Sequence, residues 1–241
     1  MQGQKSTDGP RSLAQEFSFF HIQRSSYSDP TTVRMLERTA QAAIHGHHAS
    51  VIMDGHTGTG KTYSMFDGPD AVVAVTVNHL LGQLRFCSTR STPLLCSILQ
   101  IYQQEAMDLL RDPNDEPPDH QLASQGPLRS EVPTLDALRD ILRIALERRA
   151  TRETRENHHS SRSHLVCMIY VPSPEPIHKN TCLVLVDLAG SERQGPSPQR
   201  KHGFALESER VSINSGRSHF KMAVRSFATG SRPVVRGDKV S

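Results

Sequence analysis

The sequence predicts a three-layer α/β domain, with a central, mainly parallel sheet held between helices. Three observations carry that reading. Short apolar runs of strand length alternate with amphipathic stretches along the 241 residues. A glycine-rich segment, Gly55–Thr62, stands between one such run and a helix start. Four apolar residues, Leu183–Val186, end in Asp187, with Gly190 close behind.

Taken in order, residues 1–15 are polar and unpatterned, and are expected to form a disordered tail. Ser28-Asp29-Pro30 then supplies a helix cap followed by proline at a first helical position. Val33, Leu36, Ala40, Ala43 and Ile44 follow at helical spacing. Ala49–Met53 is a short, partly β-branched run read as a buried strand, and Lys61–Met65 opens a helix. Leu94–Tyr102 reads as another strand. Residues 111–133 hold five prolines and five acidic residues, a surface loop. Thr134 caps a helix with Leu135, Leu138, Ile141, Leu142 and Ala145 on one face. Strands are expected at His164–Val171 and Thr181–Val186, and a weakly patterned helix around Arg210–Phe227.

Composition bounds the function. Lys and Arg total 28 against 25 Asp and Glu, a formal net charge of +3. That balance does not call for nucleic acid as a partner. No apolar run approaches the roughly 18 residues of a membrane span, and MQGQKSTDGPRS has no apolar core of a secretory signal, so neither membrane insertion nor export is expected. Four scattered cysteines without a C-x-x-C pair fit reduced, buried thiols. Arg outnumbers Lys by 22 to 6, which suits contact with carboxylates and phosphates. His45-Gly46-His47-His48 falls at a helix end, where histidine is favoured without any metal.

The sharpest motif is Gly55-His56-Thr57-Gly58-Thr59-Gly60-Lys61-Thr62, a full G-x-x-x-x-G-K-[ST]. A polyphosphate must be held without side chains crowding it. Glycines let backbone N–H groups curl around it, and a helix N-terminus adds its positive end. Lys61 is placed to reach the β- and γ-phosphates, and the Thr62 hydroxyl to ligate Mg²⁺. Asp187 closes an apolar strand where a carboxylate holds the Mg²⁺ shell through water, and Gly190 lets its amide approach a γ-phosphate. Asn157–His164, NHHSSRSH, read alone, is a polar loop before a strand.

With these residues in place, the chain resembles a kinesin motor domain, a P-loop NTPase fold. GHTGTGKTYSM resembles the family's phosphate loop, NHHSSRSH its switch I, and DLAGSER its switch II. Phe17–Phe20, Ile101-Tyr102, Asp108-Leu109-Leu110, Arg149 and Thr154 match more weakly, and coverage runs from about residue 16 to the C-terminus. The resemblance implies ATP and Mg²⁺ as cofactors, held by Gly55–Thr62, Tyr63, Asn157 and Ser160. It makes Ser161 a contributor to Mg²⁺ and water positioning, and pairs Arg162 with Glu192 in a salt bridge between the switches. Ser161, Arg162, Gly190 and Glu192 are the expected catalytic group. Microtubules, hence tubulin, are the implied partner, and the cytoplasmic cytoskeleton the implied location.

The chain also departs from the family. Residues 1–16 hold no R-x-R-P strand, which in the family packs against adenine. After switch II, Ile213-Asn214-Ser215-Gly216-Arg217 keeps little of the family's I-N-K-S-L, and Gly216 costs about 1 kcal/mol inside a helix. Arg232–Ser241 aligns with V-P-Y-R-D-S-K-L-T, retaining Arg236 and Lys239, and the family's later elements do not follow. No heptad stalk is present in these residues. Residues 16–241 are therefore expected to form a partial motor domain. The alternatives are a non-motile nucleotide- or tubulin-binding module and an inactive fragment of a longer motor.

Overall fold

The computed structural model describes residues 29–85, 93–102, 105–112, 126–156, 162–172 and 181–191, with side chains given for all but 152–156. The tail expected at 1–15, Phe17–Phe20, the helix around Arg210–Phe227 and the Arg232–Ser241 segment lie outside the described residues.

Helix α1 spans Pro30–Ile44, started by Asp29, whose carboxylate accepts the amides of Thr31 and Thr32 at 3.1 Å. Strand β1 is Ala49–Met53. The phosphate-loop helix opens at Lys61 and turns at once into a π-helical segment, Tyr63–Asp67, closed by the Gly68 amide on the Tyr63 carbonyl at 2.7 Å. Helix α2, Val72–Arg85, follows. Then come β2 (Leu95–Tyr102), β3 (Glu105–Asp108), β4 (Ser130–Glu131), α3 (Leu135–Glu156), β5 (His164–Val171) and β6 (Thr181–Asp187). Short β4 falls within the stretch read as a loop, where Ser130 and Glu131 pair with Cys96 and Leu95 and the following Val132 is buried.

One sheet runs β1-β6-β5-β2-β3, with β4 also on β2. The expected α/β sheet is present, but its expected parallel character is corrected. Among the described residues β1 and β6 alone run parallel, and every other pairing is antiparallel. Chain length decides two of these pairings, β2 with β3 and β5 with β6. A parallel return needs a crossover of a dozen or more residues. β2 ends at Tyr102 with β3 starting at Glu105, and β5 ends at Val171 with β6 starting at Thr181.

Side chains alternate across the sheet and sort into two clusters. Cys96 and Ile98, Leu165 to Val171 at alternate positions, and Leu183 and Leu185 meet the apolar stripes of α1, α2 and α3. Val166, Val186 and Leu188 form a smaller cluster on the other face with half-buried Ile52, Leu99, Ile101, Met168 and Val184. The described helices thus supply the layer on one face. On α3 the buried positions are Leu138, Leu142, Ala145 and Arg149, one continuous helical stripe whose last member is charged.

Candidate nucleotide site

Parallel pairing of β1 with β6 sets Met53 beside Asp187, so both strands end at the same edge of the sheet. In open α/β sheets that carboxyl edge is where ligands are held. The loop after β1 and the segment after β6 are tied to each other there. The Leu188 amide donates to the Met53 carbonyl at 3.1 Å, and the Ser191 amide to the Gly55 carbonyl at 3.1 Å. Between them, the Ala189 amide donates to His164 Nδ1 at 3.0 Å.

The loop shape requires glycine at Gly58 and Gly60, whose φ values of 79° and 80° are left-handed. Thr59 Oγ1 donates to the His56 carbonyl at 2.8 Å, and Lys61 Nζ reaches the same carbonyl at 2.7 Å. A cleft of about 190 Å³ lies against this loop, lined by Thr57, Gly58, Gly60, Lys61, Thr62, Tyr63, Asp187, Leu188 and Gly190. Tyr63, 57% exposed, forms part of its rim. Gly55, His56 and Thr59 shape the loop behind that lining.

At the base of the cleft, Thr62 Oγ1 donates to Asp187 Oδ2. Asp187 is 2% exposed, and its other oxygen, Oδ1, is buried with no hydrogen-bond partner among the described residues. Burial pushes the carboxyl above its usual range, while the Thr62 hydroxyl, Arg149 and Lys61 pull it back down. An unsatisfied carboxylate oxygen beside a hydroxyl is a hard, all-oxygen donor pair. It fits a Mg²⁺ ion that keeps most of its waters and takes few protein ligands.

Sequence reasoning gave Arg149 a place by resemblance and no role. The structure puts it, 3% exposed, at the centre of a polar network. Nη1 stands 3.8 Å from Asp187 Oδ2, and Nη2 donates to the Ser163 carbonyl and hydroxyl, each at 3.1 Å. Gln100 Nε2 completes the group by donating to Ser163 Oγ at 3.1 Å. Its signal in the sequence was position: Arg149 lies four residues after Ala145 on the apolar stripe of α3.

Of the expected site residues, Gly55 to Tyr63, Asp187 and Gly190 are brought together. Arg162 is half-buried in the turn before β5 and does not line the cleft. Asn157, Ser160, Ser161 and Glu192 lie outside the described residues. The histidines near α1 have separate partners: His45 Nδ1 meets the Gln41 carbonyl at 2.8 Å, and His48 Nδ1 accepts the Cys182 amide at 3.0 Å.

Comparison with known proteins agrees with this geometry. A family model described as the kinesin motor domain matches residues 2–236. Kinesin-like protein KAR3 of Saccharomyces cerevisiae is 27% identical over 198 residues, covering 74% of this chain and 27% of that protein. Kinesin-like protein KIFC2 of Mus musculus is 33% identical over 181 residues, covering 69% of this chain and 22% of its own. Among solved structures, the motor domain of yeast KAR3 superposes with a TM-score of 0.61 at 26% identity, over 80% of this chain and 61% of that one. A fast kinesin gives 0.62 at 26% identity, over 83% and 60%. The chain spans about a quarter of the length of these curated relatives. On its phosphate loop, its Thr62–Asp187 pairing and the match over residues 2–236, the chain belongs to the kinesin motor domain family.

Proposed function

We propose that the chain is the nucleotide-hydrolysing core of a microtubule motor, binding Mg·ATP and coupling its hydrolysis to microtubule binding and movement. One observation carries the reading: the Thr62 hydroxyl and a buried, half-satisfied Asp187 meet at the base of a cleft lined by the phosphate loop and Gly190. Family membership supports it. So does the solved structure of the Drosophila kinesin NOD, which was determined with manganese and ADP, and another in which NOD is docked with bovine tubulin on a microtubule.

In this reading the amides around Gly58–Lys61 cradle the phosphates, and Lys61 leaves the His56 carbonyl to meet the β- and γ-phosphates. Thr62 and Asp187 would hold Mg²⁺. The ion would neutralise charge on the phosphate oxygens. The Gly190 amide faces the γ-phosphate. Ser161 assists at the metal and the attacking water, and Asn157 and Ser160 contribute to nucleotide binding. An Arg162–Glu192 bridge closes the site around the water. Phosphoryl transfer needs positioning and charge stabilisation above all, which these groups supply without covalent chemistry. Residues 16–241 act as the motor-domain portion, located on cytoplasmic microtubules.

Steady-state ATPase of the purified chain, with and without polymerised microtubules, tests this beside Lys61→Ala. Microtubule-stimulated turnover that falls at least about a hundredfold in the variant is the expected result. A folded wild-type chain with no Lys61-dependent turnover in either condition would overturn it, and nucleotide binding without turnover would select the non-motile module.

A further inference from the structure

We infer that His164 is a positioning residue for the γ-phosphate contact: its Nδ1 fixes the segment after β6 so that Gly190 keeps its place in the cleft lining. The inference rests on the nucleotide reading above. Among the described residues, the Leu188, Ala189 and Ser191 amides of the segment have three different acceptors. Two are main-chain carbonyls, Met53 for Leu188 and Gly55 for Ser191. The third, for Ala189, is the His164 side chain, so it is the one tie of the three that a substitution can remove.

Gly190 lies between the Ala189 and Ser191 ties, and a residue without Cβ has the widest backbone freedom of any. Ala189 is 1% exposed, so water cannot replace a lost acceptor. A buried N–H left without a partner is costly enough to drive the peptide to reorient. Gly190 would then leave its place in the cleft lining. Accepting at Nδ1 puts the ring proton on Nε2, which fixes the tautomer this role demands. The imidazole also joins two segments of the site. His164 opens β5 directly after Arg162 and Ser163, and its neighbour Leu165 pairs with Asp187. The loop before β5 is thereby coupled to the loop after β6.

The test is the preference for a γ-phosphate, read as affinities for a non-hydrolysable ATP analogue and for ADP at fixed Mg²⁺, together with kcat. His164→Leu removes the acceptor, His164→Asn places an oxygen where Nδ1 stood, and His164→Gln carries its oxygen one atom too far. In the Leu variant, ADP affinity should hold within about twofold, while analogue affinity and kcat each fall about tenfold. Asn should recover both to within about threefold, and Gln should not. If the Leu variant does not fold, the Asn and Gln pair decides alone. Equal loss of both nucleotides, an unchanged preference in a folded Leu variant, or Asn no better than Gln would overturn the inference. Wild-type protein lacking Lys61-dependent nucleotide binding would instead overturn the functional reading beneath it.

Discussion

Asp108 and Asp187 are both buried aspartates at the carboxyl ends of strands, 1% and 2% exposed, and each has an arginine within 4 Å, Arg111 for one and Arg149 for the other. Their surroundings differ in completeness. Asp108 accepts the Leu110 amide at 2.9 Å through one oxygen and the Leu128 amide at 2.7 Å through the other, with Arg111 Nε at 3.3 Å. Arg148 closes that corner by donating to the Leu109 and Arg111 carbonyls at 3.1 and 2.8 Å. Asp187 has Thr62 and Arg149 on one oxygen and, among the described residues, no hydrogen-bond partner on the other. A buried charge whose acceptors are all used is a clamp that holds a loop. One left half-used is a receptor, and burial alone does not tell the two apart.

The largest effect should come from breaking the clamp. Asp108→Ala leaves two amides without their acceptor and the Arg111 guanidinium without its counter-charge, and should cost about 3–5 kcal/mol in urea unfolding. A loss below about 1 kcal/mol would mean that Asp108 is no clamp. Asp187→Asn should behave in the opposite way. Because burial already disfavours that charge, removing it should change stability by less than about 1 kcal/mol, while Mg²⁺-dependent nucleotide affinity drops at least about tenfold. A large stability loss with unchanged affinity would erase the contrast. The smallest effect is Thr134→Ala, which removes the acceptor of the Ala137 amide (3.1 Å) at the start of α3. It should lower stability by about 1 kcal/mol, read as a modest shift in urea midpoint, with nucleotide affinity unchanged. Altered affinity would show that α3 transmits strain from its cap to Arg149.

Much of this was legible in the sequence, for identifiable reasons. The starts of α1 and α3 follow from Asp29 and Thr134, whose side chains accept helix amides as such residues do at caps. β1, β5 and β6 follow from apolar runs of strand length. α2 is hidden in the sequence, because Val72–Arg85 begins with a β-branched run that looks strand-like. Its buried positions, Val72, Val73, Thr76, Val77 and Leu80, nonetheless carry helical spacing. Strand direction is less legible, because it depends on the short β2–β3 and β5–β6 links, which forbid a crossover. At the site, Gly55–Thr62 and Asp187 declare themselves through residue type and spacing. Arg149 and His164 do not, because their roles come from partners distant in the chain: Asp187 for one, the Ala189 amide for the other.

The pairing of β1 with β6 has a consequence for how the molecule comes into being. Thr62 and Asp187 are 125 residues apart in the chain. On a ribosome, the phosphate loop and its strand emerge long before the strand that will lie beside them. Until β6 is made, β1 presents an unpaired edge, the kind of surface that invites pairing with another chain. Such non-local contacts also slow folding, because chain entropy is lost before the contacts form. The β2–β3 hairpin can close early from neighbouring residues. The nucleotide cleft is among the last parts to be completed, so nascent chains short of Asp187 gain no protection from nucleotide.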